Sequence, residues 1–219
     1  MQIIVTDVTL MHNGHVCVAG WDLERKCMVR PLAGPGQHWA EEMAGEHLFE
    51  MGNVVQLVPS KARNTRGLPH AREDVIIKEE PELIGSVPPA QLPSRLAESE
   101  HASVRQLFAG HLKSGMYVLE GSDCPSLGAV SVDCRRMGFE EREKPKGPQL
   151  RCWFYDAEGV SYNFPVVSRT IRAMYEEGGL EAVVELRKRR RLAHVRLGLA
   201  NPFKDDGRCW VMVNNVLFY

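Results

Sequence analysis

Arg187-Lys188-Arg189-Arg190-Arg191 places five consecutive cations in a chain of 219 residues whose formal net charge is only −1. A local cationic cluster on a near-neutral protein is a candidate anion site, and the phosphates of nucleic acid are the first anions to consider. Arg196, Lys204 and Arg208 follow in the closing segment, and Trp210 adds an indole. Single-stranded nucleic acid is bound by this pairing: cations track the backbone, and an aromatic face stacks a base for about 1–3 kcal/mol. A second basic group, Lys61, Arg63, Arg66 and Arg72, lies in a polar stretch that reads as a loop. Trp21, Trp153, Phe154 and Tyr155 are further rings able to stack, although aromatics in small barrels mostly fill cores.

Each of these features also has a structural reading. A helix predicted from Leu180 to Arg191 turns about 100° per residue, so only part of the run can share one face. Cations in its last turns also complement the helix dipole, by about 0.3–1 kcal/mol each. In the closing strand Cys209, Val211 and Val213 share one face while Trp210 and Met212 share the other. One set must therefore face away from its own core, which puts Trp210 on a ligand face or a domain interface.

Other chemistries find less support. His12 and His15 flank an Asn-Gly turn and Cys17 follows, but two or three ligands on an exposed hairpin make a poor closed metal site. The cysteines at 17, 27, 124, 134, 152 and 209 form no C-x-x-C pair, so no zinc ribbon and no other metal or cofactor is expected. G-x-S-x-G, Walker A, H-E-x-x-H and G-x-G-x-x-G motifs are all missing, and the reading leans away from an enzyme. The acidic stretch from Glu73 to Glu82 is read as a solvated turn. A hydrophobic fraction of 44% with 25% charged residues describes a globular chain with a folded core. A pI near 6.7 confines any nucleic-acid surface to a patch. No apolar stretch approaches the roughly 18 residues of a membrane span, and the opening residues lack a signal peptide's basic and apolar regions. The expectation is a non-membrane, cytoplasmic protein with reduced thiols.

The elements that must position these residues are mainly strands. Ile3–Leu10, Val16–Trp21, Cys27–Arg30, Asn53–Pro59 and Val75–Ile77 read as strands, joined first by an Asn13-Gly14 hairpin turn. A helix is expected over 38–51. Short strands of this number with one helix predict a small closed barrel, which removes exposed edges. Residues 81–93 carry four prolines and read as a connector, followed by a helix over 94–112. The second half repeats the plan. Strands are predicted at 127–134, 150–155, 160–164, 194–200 and 209–219, with helices at 168–177 and 180–191 separated by Gly178-Gly179.

Val16-Cys17-Val18-Ala19-Gly20 followed by Val29-Arg30-Pro31, then Leu127-Gly128-Ala129-Val130, then Val195 to Phe203 with Cys209-Trp210, resemble the opening, midpoint and ending of the dual OB-containing domain family. The resemblance spans essentially the whole chain. It implies two OB-fold units and, by analogy of fold, nucleic-acid binding. Where members carry an aromatic before the Arg-Pro pair, this chain has Cys27-Met28-Val29, so no stacking role near Arg30 is implied. The expected fold is mainly β with several helices (α+β), as two OB-like barrels in tandem: 1–80, a connector and helix over 81–112, and 113–219. The expected function is non-catalytic binding of single-stranded or structured RNA or DNA. The site residues are Arg187, Lys188, Arg189, Arg190, Arg191, Arg196, Lys204, Arg208, Trp210, Arg63 and Arg66. The alternative is a protein-interaction or small-ligand sensor module using a cleft between the barrels.

Overall fold

The structure, a computed structural model, describes residues 1–11, 14–45, 48–61, 69–145, 147–202 and 206–219. The chain divides into two compact units, Met1–Ser99 and Glu100–Tyr219.

In the first unit β1 (Gln2–Leu10), β2 (His15–Asp22) and β3 (Cys27–Leu32) form an antiparallel meander. The apolar residues Ile3, Val5, Val16, Val18 and Val29 line its core. Gly20 permits the β1–β2 approach, since a Cβ there would stand 2.7 Å from Ile3 Cδ1 and 2.9 Å from the Ile4 carbonyl oxygen. The short β4 (Trp39–Ala40) pairs with β2 and leads into α1 (Glu41–Gly45). The helix expected over 38–51 is reduced to this turn, because Trp39 is drawn into the sheet and packs on Phe49 at 5.1 Å, its indole donating to the Pro31 carbonyl at 2.9 Å. Next, β5 (Asn53–Gln56) pairs antiparallel with β1, and β6 (Asp74–Ile76) pairs parallel with β3. Bonds from Ser60 N–H to the Ile76 carbonyl, 2.7 Å, and from Lys78 N–H to the Val58 carbonyl, 3.1 Å, close the ring. The circuit β1-β2-β3-β6-β5-β1, with a helix after the third strand, is the Greek-key barrel of an OB fold. Finally β7 (Glu82–Ser86) adds to the outer edge of β5, where a connector was expected.

The expected helix over 94–112 is broken into pieces. After α2 (Leu92–Leu96), the Ser99 hydroxyl donates to the Leu96 carbonyl at 2.7 Å and ends the helix. A two-residue strand, β8 (Glu100–His101), then precedes α3 (Val104–Leu107). The Ser103 hydroxyl caps α3 by accepting from Gln106 N–H at 3.1 Å, as N-terminal serines do. Left-handed Ala109 and Gly110 stop it.

The second unit repeats the circuit. Its first strand is long and bent, β10 (Leu127–Asp133) continuing through a tight turn at Cys134–Arg136 into β11 (Met137–Arg142). Ahead of it lies β9 (Tyr117–Leu119). β11 pairs with β12 (Gln149–Tyr155), which pairs with β13 (Ser161–Pro165). Asp156 shapes the β12–β13 loop, its Oδ1 accepting from the N–H groups of Glu158 and Val160 at 3.1 Å each. Then come α4 (Arg169–Glu185), β14 (Leu192–Leu199) and β15 (Arg208–Phe218). β14 pairs with β10 and with β15, and Val166 bridges Val213 in parallel beyond β13. The barrel therefore runs β10/β11-β12-β13-β15-β14 and back to β10. Its core includes Val130, Met137, Cys152, Phe154, Phe164, Val195 and Val213.

α4 is capped by the Ser168 hydroxyl and is broken at Gly179, whose φ of 67° and ψ of −169° are not helical, so its two helical pieces meet at the glycine pair where the sequence placed the break. Its helical part ends at Glu185, not Arg191. Arg189 takes φ 60°, and Arg191 N–H donates to the Tyr219 carbonyl at 3.1 Å. The chain there is already being drawn into the sheet.

Candidate nucleic-acid interface

The basic run occupies a turn between α4 and β14, so the helical geometry expected for it does not apply. Its residues divide in role. The Arg187 guanidinium donates from Nη1 to the carbonyls of Cys134, 3.3 Å, and Met137, 3.1 Å. Arg191 accepts at its carbonyl from Cys134 N–H, 3.0 Å. The run is thereby fastened to the 134–137 turn, which itself carries Arg135 and Arg136. Lys188 pairs with Glu185, and Arg135 grips both Asp133 carboxylate oxygens, the shorter contact being 2.5 Å. The Arg135 guanidinium holds the Asp133 carboxyl at about 2, well below its usual range. Arg136, Arg189, Arg190 and Arg191 make no ion pair within 4.0 Å among the described residues, and all four residues are exposed. They form a cationic corner of the second barrel.

This corner carries an aromatic. Arg136 lies over the Tyr155 ring, 5.0 Å from its centroid, and Tyr155 is 39% exposed. On β12 the residues alternate: Leu150, Cys152 and Phe154 point to the core, while Arg151, Trp153 and Tyr155 point out. Gly138 on β11 lies beneath Trp153, because a Cβ at 138 would fall 2.8–2.9 Å from the indole ring atoms. The ring is therefore seated on backbone. Beside it, Arg151 Nε donates to Asn163 Oδ1 at 2.8 Å, and Asn163 Nδ2 donates to Glu140 Oε1 at 2.7 Å. These bonds fix the surround of the ring and leave Arg151 committed to the sheet.

Trp210 stands elsewhere. It is the cross-strand partner of Tyr117, with ring centroids 5.2 Å apart, and the Arg208 guanidinium lies 5.1 Å from the Tyr117 centroid. Arg208 also reaches Asp206 at 3.7 Å. This ladder sits where β15 begins, next to Ala200, whereas the basic turn meets the end of β15 at Tyr219. An eight-residue strand separates them, roughly 25 Å at about 3.3 Å per residue. The run and Trp210 do not share one end of the barrel.

Arg196 is fully buried, 0% exposed, and offers no cation to a ligand at the surface. Its neighbours Val195 and Leu197 face the core while it lies on the opposite face of β14, itself covered. Lys204, Arg63, Arg66 and His12 lie outside the described residues. Trp21 and Phe154, considered as stacking rings, are buried. The sequence-based reading missed Arg135 and Arg136. Their signal was faint: two arginines after a strand, far in sequence from Tyr155 and from the basic run.

His194, two residues before Arg196, is also fully buried. Its Nε2 lies 3.3 Å from Glu100 Oε1, but without hydrogen-bond geometry. Burial, and then the Arg196 charge, press its pKa down to about 3, so the ring is neutral and the contact is not an ion pair. Above pH 6.5 this has no effect on stability. As pH falls from 6.5 towards 3, the unfolded chain takes up a proton that the folded chain refuses, at about 1.4 kcal/mol per pH unit. Between pH 7 and pH 4.5 this group alone should remove about 2–3 kcal/mol. Urea unfolding at the two pH values is expected to show His194→Leu losing less stability on acidification than the unaltered chain. Equal losses would refute the assignment.

Among the described residues no group of three or more His, Cys, Asp and Glu side chains gathers as a metal site. No helix there is long and apolar enough to cross a membrane. Two closed five-strand circuits, each with a helix after its third strand, define a tandem OB-fold protein. The chain belongs to the dual OB-containing domain family, whose model matches residues 1–216. No curated protein and no solved structure shows a significant match to it.

Proposed function

We propose that this protein is a non-catalytic module that binds single-stranded or structured nucleic acid through its second barrel. The observation that carries the reading is the fastening of the basic turn to the 134–137 turn. It brings the run of Arg189, Arg190 and Arg191 to the turn that carries Arg136, and Arg136 lies over Tyr155, which shares the outward face of β12 with Trp153. That face is the outer side of the second and third barrel strands, the surface on which OB folds bind oligonucleotides. In this reading the arginines take phosphates, and the two rings stack bases. The backbone seat under Trp153 keeps its ring from tilting when a base lands on it.

Anisotropy titrations of labelled ten-nucleotide RNA and DNA against the whole chain, at stepped salt concentrations, test the proposal. Binding should weaken steadily with salt. Trp153→Ala should cost about tenfold or more, as loss of one stacked base does. Gly138→Val should mimic it by lifting the indole off its seat. Affinity no better than millimolar at low salt, or indifference to Trp153→Ala, would remove the proposal's basis.

A further inference from the structure

A second surface lies in the first unit. β7 ends its sheet, bonded to β5 on one edge, and among the described residues no strand pairs with its other edge. All five of its residues are exposed, with Leu83 at 47% and Ile84 at 43%. Ile84 falls in a register shift and has no cross-strand partner on β5. A Cβ added at Gly85 would meet no atom within 4 Å.

Soluble proteins blunt such edges with charge, proline or very short strands, because a bare edge templates another strand. Here Pro81 and Pro88 bound β7 without interrupting it. The charge is one-sided: Glu79, Glu80 and Glu82 precede or open the strand, and the adjacent Lys78 is engaged with Glu79 at 3.1 Å. A second copy of β7 paired in parallel would bring a second acidic cluster against the first, which like charges oppose, and one paired antiparallel would set the glutamates opposite the neutral Ser86 end, where they gain no attraction. A cationic strand meets attraction instead.

We propose that β7 is a docking edge for an extended, cationic segment of a partner protein, which adds to the first unit's sheet as a further strand. Main-chain hydrogen bonds along Glu82–Ser86 supply affinity, Leu83 and Ile84 contact the incoming apolar side chains on either face, and the glutamates select positive charge. This proposal is independent of nucleic-acid binding, which involves the other unit.

The test uses the whole chain and a labelled peptide, Lys-Val-Lys-Ile-Lys-Thr-Lys, in anisotropy titrations. Binding is expected. The same peptide N-methylated at alternate residues keeps its charge but loses its donors, and should bind about tenfold or more weakly. The Glu79→Lys, Glu80→Lys, Glu82→Lys variant, checked for an unchanged circular dichroism spectrum, should release the cationic peptide. Equal affinity for the N-methylated peptide would mean attraction by charge alone and overturn the proposal. So would failure of the unmodified peptide to bind. Concentration-dependent dimerisation abolished by Ile84→Lys would overturn it too, by identifying a second copy as the occupant.

Discussion

Alanine at Arg189, Arg190 and Arg191 together is expected to weaken binding of a short single-stranded oligonucleotide about a hundredfold near 50 mM salt. The size follows from counterion release. Each cation that neutralises a phosphate on a single strand contributes about 0.7 to the slope of log affinity against log salt, so three contribute about 2. The loss should shrink as salt approaches 1 M, where the released ions gain little. The substitutions should leave the fold intact, because the run is fastened through the Arg187 guanidinium and the Arg191 main chain. Alanine at 189 keeps the same left-handed backbone cost as arginine. Arg208→Ala with Trp210→Ala provides the contrast, since those side chains sit at the other end of the β14–β15 hairpin and should leave affinity nearly unchanged. A triple variant with an undiminished salt slope, or a double variant with the larger loss, would show that the ligand lies elsewhere.

Arg30→Met should destabilise the first unit by about 3–5 kcal/mol, the range found when one partner of a buried ion pair is removed. Arg30 Nη1 meets Asp74 Oδ1 at 2.8 Å, and both side chains are only 5% exposed. The pair joins β3 to β6, the parallel contact on which barrel closure depends, and Arg30 N–H donates to the Glu73 carbonyl at 2.7 Å in the same place. Without the guanidinium the Asp74 carboxylate loses its ion-pair partner in a low dielectric. A domain whose net stability is about 5–15 kcal/mol has little margin for that loss. Urea denaturation should show the drop, and pairing Arg30→Met with Asp74→Leu should recover much of it. A single-variant cost below about 1 kcal/mol would mean the pair is solvated.

The barrel plan was legible in the sequence because its strands are runs of β-branched residues bounded by glycine, proline and asparagine. The kink at Gly179 was marked by its glycine pair. The ends of helices were less legible. The segment 94–112 has helical composition, but Ser99 and Ser103 turn their hydroxyls to the backbone and divide it. The end of α4 was hidden because its basic residues are good helix formers, while the bonds that unwind them come from Cys134, Met137 and Tyr219, distant in sequence. The site suffered from the same limit. Trp153, Phe154 and Tyr155 stood out as rings, but which of them turns outward is set by the strand's alternation with Leu150, Cys152 and Phe154 in the core. That Arg136 covers Tyr155, from the next strand, and that the basic run is fastened to the turn carrying Arg136, some fifty residues earlier, depends on contacts distant in sequence. Burial of Arg196 reflects the covered outer face of β14, which the strand's own sequence does not reveal.

The circuit of the second barrel also sets an order in time. β14 and β15 supply the last strand pair, and β15 joins both β14 and the chain beyond β13. During synthesis the first unit has all its strands once residue 86 has left the ribosome, and domains made first generally fold first. The second barrel must hold β10 to β13 unclosed until β15 emerges, a delay typical of folds built on distant pairings. The backbone bonds that seat Arg191 on Tyr219 can form only then. On a nascent chain, the cationic corner is thus among the last features to take shape.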